Sequence, residues 1–164
     1  MNPPSRSPPR CQLPRRFRVH HDIKVLIADD LSLNIKVLVH KLKQFYGNWA
    51  ISTACTAEEA LELLRVASAT STPFQLLIID ENFGIQQQSG SWAIQQIRAT
   101  EKISAPLLRL SVISWTSNAD TLSKMLLECG ADLVWGKPFP EVSVLQDDLR
   151  SVLGTVDWPK PLPM

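Results

Sequence analysis

The chain has 164 residues, of which 45% are hydrophobic and 20% are charged, enough for one domain with a buried core. The net charge of +1 combines an arginine-rich start with a net acidic remainder, and an acidic domain is poorly suited to bind nucleic acid. The sequence contains no run of about 18 apolar residues, which argues against secretion and against a membrane span.

Residues 1–21 are predicted to form a disordered or extended segment outside the fold. The first 18 residues contain five prolines and five arginines and no acidic residue, a composition that buries little apolar surface. We interpret this segment as a linker. An organellar transit peptide is the alternative, because such peptides are also rich in arginine and poor in acids.

The three cysteines are Cys11, Cys55 and Cys129, and none of them forms a C-x-x-C pair. An odd number without paired spacing argues against a disulfide framework and against a zinc site, and it favours a reducing, cytoplasmic location. Cys55 and Cys129 are predicted to fill small spaces in the core.

From residue 23 onward, short apolar runs alternate with amphipathic segments. The apolar runs are predicted strands: 23–28, 49–54, 74–80, 107–115 and 131–135. The segments after them are predicted helices: 31–45, 57–67, 91–102, 121–130 and 141–153. Thr56 and Glu59 have the spacing of a capping box at the second helix. The alternation predicts an α/β fold with a doubly wound, five-stranded parallel sheet, as a single domain over 22–154 followed by a tail at 155–164.

Polar residues follow four of the predicted strands, at the points where these strands end. They are Asp29 and Asp30, Asp80 and Glu81, Thr116 and Ser117, and Lys137. Ligand sites of open parallel sheets lie beyond the carboxyl ends of the strands, so these side chains should gather at one edge. Clustered carboxylates suit Mg²⁺ or Mn²⁺, and a lysine and a hydroxyl can donate to phosphoryl oxygens. The set therefore has the parts for phosphoryl transfer to an aspartate.

The sequence resembles the receiver domains of two-component response regulators over about residues 22–154. The motifs that carry the resemblance are "VLIADD", "LLIID", "ISWTSNA" and "CGADLVWGKPF", in this order on the first, third, fourth and fifth strands. The segment "DDLSLNIKVL" resembles the receivers of hybrid histidine kinases, in which an asparagine follows the acid pair by a few residues, and Asn34 matches that asparagine. The resemblance implies the flavodoxin-like topology, and a regulatory domain that catalyses only its own phosphorylation and dephosphorylation.

The resemblance also implies roles for the acidic residues. Asp80 is the expected phosphoacceptor. Asp30 is the expected direct ligand of Mg²⁺, with Asp29 binding the metal directly or through water and with Asn82 contributing its backbone carbonyl oxygen. The phosphoryl donor would be a histidine kinase or a histidine phosphotransfer protein.

Two further residues receive roles from the resemblance. Thr116 is the expected switch hydroxyl after the fourth strand. Lys137 is expected to pair first with the acceptor and then with the phosphoryl group, and its peptide bond to Pro138 is expected to be cis.

The chain departs from the family pattern beside the acceptor. Phe83-Gly84 replaces the usual Met-Pro, and Gly90 lies about two residues farther from Asp80 than is common. Val134 stands where the family often has an aromatic switch residue. Glu81 is predicted to be solvated and without a role.

Two other functions remain open from the sequence. A pseudo-receiver would keep the fold as a non-phosphorylated protein-interaction module, which the altered loop and Val134 favour and the complete set of acids and lysine opposes. A Mg²⁺-dependent phosphatase or nucleotide-binding enzyme is less favoured, because no glycine-rich phosphate loop follows the first strand.

Overall fold

A computed structural model describes residues 23–70, 72–103 and 109–154. The predicted segments 1–21 and 155–164 lie outside the described residues. Five strands alternate with five helices. Their bounds are β1 Lys24–Ala28, α1 Ser32–Phe45, β2 Ala50–Ala54, α2 Ala57–Ser68, β3 Leu76–Ile79, α3 Gly90–Ile103, β4 Ser111–Thr116, α4 Ala119–Glu128, β5 Leu133–Gly136 and α5 Val142–Leu153.

The predicted element order is confirmed, and the differences lie at element ends. Residues 109–110, predicted as part of the fourth strand, precede β4 instead, and β5 begins two residues later than predicted. Residues 107–108 lie outside the described residues. The apolar periodicity identifies which segments are strands, while the sheet register decides where each ladder begins.

The five strands form one parallel sheet in the order β2-β1-β3-β4-β5, which confirms the doubly wound, flavodoxin-like topology. The chain moves from β1 outward to β2 and then returns to place β3 on the other side of β1. A reversal of this kind opens a crevice at the carboxyl ends of β1 and β3, where ligands bind in such sheets.

Each face of the sheet is covered by a separate apolar core. One core joins the sheet to α2, α3 and α4, and the other joins it to α1 and α5. Alternate strand residues enter alternate cores: Leu26 and Ala28 face α2 and α3, whereas Val25 and Ile27 face α1 and α5. Both faces of the strands are therefore buried, as the continuous apolar runs predict.

The capping box at α2 is confirmed with one difference. The Thr56 hydroxyl accepts the Glu59 backbone N–H at 3.0 Å, but the Glu59 carboxylate accepts the backbone N–H of Cys55 at 2.6 Å, one residue before the cap.

Cys55 lies in an exposed turn after β2, and Cys129 is only half-buried at the end of α4. The prediction that the cysteines fill the core was wrong for Cys55, which is exposed, whereas the partly buried Cys129 packs against the core that α2, α3 and α4 share with the sheet. None of the helices within the described residues has the length and apolar character needed to cross a membrane.

Candidate functional site

The strand ends bring three carboxylates and one ammonium together in a cleft at the carboxyl edge of the sheet. Ligand oxygens of Asp29, Asp30 and Asp80 lie within 4.8 Å of one another. The backbone N–H of Asp80 donates to Ala28 at 2.9 Å, which fixes the end of β3 beside the acid pair after β1. The predicted gathering of these side chains at one sheet edge is confirmed.

Lys137 connects two of the acids. Its Nζ atom lies 2.8 Å from Oδ2 of Asp29 and 2.7 Å from Oδ2 of Asp80. Its backbone N–H donates to the backbone oxygen of Thr116 at 3.0 Å, at the end of β4. The peptide bond between Lys137 and Pro138 is cis, as expected. One ammonium thus partly neutralises two carboxylates.

Asp29 is fully buried, and its oxygens are held by protein donors. The side-chain amide of Asn34 donates to both oxygens at 3.0 Å, and the backbone N–H of Leu31 donates to Oδ1 at 2.8 Å. Asn34, which the sequence linked only to hybrid-kinase receivers, therefore has a structural task in orienting Asp29. Asp30 is exposed and lines the cleft, so its carboxylate faces the position where a ligand would enter.

The pKa of Asp80 is raised above its usual value because the carboxyl is buried. The hydrogen bond and the positive charge of Lys137 lower this pKa and offset part of the effect, whereas the negative charge of Asp29 raises it further. The backbone N–H of Glu81, which donates to Oδ1 of Asp80 at 2.7 Å, acts in the same direction as Lys137. A cation that entered the cleft would relieve this unfavourable charge.

The donor set at the cleft fits a hard divalent cation. Asp30 and Asp80 offer carboxylate oxygens, and Asn82 lines the same cleft. Oxygen ligands of this type are those that Mg²⁺ takes in proteins. The resemblance implies a metal set of these three residues and Asp29, and that assignment stays a prediction.

Thr116 is fully buried at the end of β4. Its hydroxyl accepts the backbone N–H of Asn118 at 3.3 Å, a local contact at the start of α4. The neighbouring Ser117 is exposed and lines the cleft. The switch role of Thr116 stays a prediction, and its hydroxyl serves the turn before α4 in this structure.

Glu81 corrects a prediction made from the sequence. Its side chain was expected to be solvated, yet the residue is only 7% exposed. Its carboxylate accepts the backbone N–H of Ser91 at 2.7 Å and the Ser91 hydroxyl at 2.8 Å, and this pair holds the first turn of α3. The only sequence feature that hinted at this contact is Ser91 at the predicted start of the third helix. A serine at a helix start does not reveal which acidic residue will accept its hydrogen bonds.

The long loop after Asp80 is fixed at both ends. Phe83 is buried in the core beneath α2 and α3. At the other end, a Cβ atom on Gly90 would lie 2.1 Å from the backbone oxygen of Asp80, so the start of α3 touches the backbone of Asp80. The residues between, 84–88, are exposed. The exposed part of the loop begins beside the cleft, which Gly84 lines.

No protein-family profile and no curated protein sequence matches this chain. Solved structures match it in fold. A chain of the CheX–CheY complex from Borrelia burgdorferi, crystallised with BeF3 and magnesium, has 24% sequence identity and a TM-score of 0.65, with 81% of this chain and 90% of that chain covered.

Two further structures have similar scores. One is a chain of the Saccharomyces cerevisiae complex of the histidine phosphotransfer protein Ypd1 with the receiver domain of Ssk1, at 21% identity and a TM-score of 0.65, covering 80% of this chain and 88% of that one. The other is the receiver domain of the sensor histidine kinase PA1611 from Pseudomonas aeruginosa, solved with magnesium in its active-site cleft, at 21% identity and a TM-score of 0.63, covering 82% and 99%. The fold of this chain is the receiver fold, as the motifs predicted.

Proposed function

We propose that this chain is a phosphoacceptor receiver domain that takes a phosphoryl group from a phosphohistidine onto Asp80 in a two-component phosphorelay. The observation that carries the proposal is the ammonium of Lys137, which lies 2.7 Å from the Asp80 carboxylate within the three-acid cluster. A structural ion pair would not require two additional acids beside it. A site that receives an anionic group would require both a cation bound by the acids and the ammonium of the lysine.

The reaction uses one carboxylate of the chain as nucleophile. An oxygen of Asp80 attacks the phosphorus atom, the P–N bond of the phosphohistidine breaks, and the imidazole nitrogen leaves with the bonding electron pair. The product is an acyl phosphate on Asp80. Attack of water on the phosphorus atom then releases inorganic phosphate and restores the carboxylate. In this proposal the domain catalyses only its own phosphorylation and dephosphorylation.

Each remaining site residue has a task in this reaction. The ammonium of Lys137 would move to the oxygens of the transferred phosphoryl group and donate hydrogen bonds to them. The Thr116 hydroxyl would also donate to these oxygens, once its hydrogen bond with the Asn118 backbone N–H has broken. Asp30, Asp80 and the backbone carbonyl of Asn82 would hold Mg²⁺, with Asp29 as a further ligand directly or through water. The bound Mg²⁺ would supply positive charge to the phosphoryl oxygens.

The proposed donor is a histidine kinase or a histidine phosphotransfer protein. Three apolar residues of the segment after β1 are exposed beside Asp80 and line the same cleft: Leu31, Leu33 and Val37, with Leu33 at 70% exposure. An exposed apolar rim at a polar cleft is typical of a protein-binding surface. The cytoplasmic location predicted from the cysteines, and an origin in a hybrid kinase predicted from Asn34, remain part of this proposal.

The test is incubation with Mg²⁺ and acetyl phosphate, followed by intact mass measurement. We expect wild type to gain the mass of one phosphoryl group, and we expect chelation of Mg²⁺ to abolish the gain. Asp80→Asn should gain nothing, whereas the exposed-surface control Asp147→Asn should behave as wild type. If wild type gains no adduct from acetyl phosphate or from a phosphorylated histidine protein, the pseudo-receiver is the correct function.

A further inference from the structure

Trp115 lies at the site although the sequence analysis gave it no role. It is the residue before Thr116 on β4, it is only 3% exposed, and it lines the cleft that contains Asp80. The Nζ atom of Lys137 lies 4.7 Å from the centroid of its ring. This distance is within the range of cation–π attraction, for which tryptophan is the strongest partner.

The indole completes the surroundings of the Lys137 ammonium. An ammonium has three N–H donors, and two of its contacts here are the carboxylates of Asp29 and Asp80. The ring face of Trp115 covers another side. A lysine has a long, flexible stem, so contacts to its head on several sides restrict where the charge can move.

The indole is itself held in place by a second ring. Phe139 stacks on Trp115 with 4.2 Å between ring centroids and an interplanar angle of 25°. Phe139 also makes an edge contact with Trp135 at 6.0 Å, on the neighbouring strand. Trp115 and Trp135 are partners in the β4–β5 register, but the described contact with Lys137 belongs to Trp115.

We propose that Trp115 is a positioning residue for the phosphoryl transfer, acting through Lys137. Its ring face keeps the ammonium against the Asp80 carboxylate in the resting state. Because attraction to a π face has little directional demand, the ammonium can move across the ring toward the oxygens of the incoming phosphoryl group without losing the contact. This inference rests on the proposed function, since it concerns the same reaction.

The structure supplies a matched control for the test. Trp135 has the same residue type, the same 3% exposure and a contact with the same phenylalanine. We would compare Trp115→Leu and Trp115→Phe with Trp135→Leu and Trp135→Phe. The readout is the initial rate of Mg²⁺-dependent phosphorylation by acetyl phosphate, followed by intact mass and normalised to the folded fraction from circular dichroism.

Trp115→Leu should lower this rate by roughly 3- to 30-fold, the range that loss of a partly desolvated cation–π contact can produce. Trp115→Phe should fall between Trp115→Leu and wild type, because a phenyl face attracts a cation less strongly. The two Trp135 variants should keep the wild-type rate per folded molecule. If the leucine variants do not fold, the two phenylalanine variants decide the comparison by the same ordering.

A spectroscopic measurement separates positioning from general packing. The ε-methylene proton signals of Lys137, assigned by their loss in Lys137→Arg, should be shifted upfield by the indole ring in wild type and in Trp135→Phe. The shift should change in Trp115→Phe and vanish in a folded Trp115→Leu.

The outcomes also separate this inference from the proposed function. Wild type without any adduct contradicts the proposed function. Wild type that is phosphorylated, with folded Trp115 variants that react at its rate or with no ring-induced shift of Lys137, contradicts only the role of Trp115.

Discussion

Asp80 is a carboxylate whose surroundings oppose its own negative charge. Burial raises its pKa above the usual value, and the charge of Asp29 acts in the same direction, with only partial compensation by Lys137. In the pH range between the unfolded and the folded pKa, the native state binds more protons at this group than the unfolded state. The contribution of Asp80 to stability is therefore present at low pH and is lost as pH rises through the folded pKa.

Asp80→Asn should for this reason stabilise the fold at neutral pH, because it removes a charge that the site disfavours. We expect the melting temperature at neutral pH to rise by about 2–5 °C, the shift that roughly 1 kcal/mol produces in a domain of this size. The gain should shrink as pH falls toward about 3.9, the ordinary pKa of aspartate. Thermal denaturation at both pH values measures it, with Asp147→Asn as the exposed control. A lower melting temperature for Asp80→Asn at neutral pH would contradict this account of the site.

Gly90 is a position where no side chain fits. A Cβ atom would lie 2.1 Å from the Asp80 backbone oxygen, and backbone atoms cannot yield as the end of a flexible side chain can. We expect Gly90→Ala to cost about 1–3 kcal/mol of unfolding free energy, as overpacking does in a core. Urea denaturation gives this value.

Gly47→Ala is the matched control for Gly90→Ala, because the nearest atom to its Cβ would be a backbone oxygen at 3.8 Å. It should be neutral or stabilising by up to about 1 kcal/mol. Equal effects at the two glycines would show that the close approach at Gly90 is unimportant.

At the scale of elements, the first turn of α3 is held by the residue next to Asp80. Glu81 accepts both the backbone N–H and the hydroxyl of Ser91. Glu81→Ala leaves the backbone N–H of the half-buried Ser91 without its carboxylate acceptor, and it should cost about 1–3 kcal/mol. Ser91→Ala keeps the backbone contact with Glu81 but removes the hydroxyl contacts with Glu81 and Ser89, and it should cost about 0.5–1.5 kcal/mol.

Chemical denaturation of these two variants tests the anchor. Glu58→Ala, in the exposed first turn of α2, is the control and should change stability by no more than about 0.5 kcal/mol. An effect of Glu81→Ala as small as that of the control would mean that α3 does not depend on this contact.

The same element shows where sequence-based prediction stops. The strands were predictable because both faces of a parallel sheet are buried, and Asp80 was predictable because a strand end places it at the sheet edge. The burial of Glu81 depends on the path of the nine residues that connect it to Ser91, and no periodicity encodes that path. The contact between Trp115 and Lys137 joins the ends of two strands and depends on their register and on the Phe139 ring.

At the scale of the whole molecule, the two edges of the sheet are built differently. The carboxyl edge gathers three acids near Lys137. At the other edge, Arg98 donates to the backbone oxygens of Gly130 and Leu110 and pairs with Glu101 and Asp132. This second cluster joins α3, α4 and the starts of β4 and β5. Contacts at the edge away from the site therefore hold together elements that also carry site residues.

Arg98→Met should therefore lower stability without changing the chemistry. Removing the guanidinium takes one ion-pair partner from each of two mostly buried acids, Glu101 and Asp132. Asp132 keeps Arg109 and the Val112 backbone N–H, and Glu101 keeps the Leu110 backbone N–H, so we expect a loss of about 1.5–3 kcal/mol. The phosphorylation rate per folded molecule should equal that of wild type, because the cluster lies at the opposite edge. The control is Arg65→Met in an exposed pair with Glu62, which should stay within about 1 kcal/mol of wild type. A rate change in folded Arg98→Met would contradict this separation of the two edges.

The central claim is that the carboxylate of Asp80 receives the phosphoryl group, and it is tested most directly by locating the acyl phosphate. Borohydride reduces an aspartyl phosphate to homoserine, and peptide sequencing by mass spectrometry then identifies the modified position. After treatment with Mg²⁺ and acetyl phosphate, homoserine should be found at position 80. Modification at Asp29, Asp30 or Glu81 with an unchanged Asp80, or the absence of any reduced residue, would contradict the account.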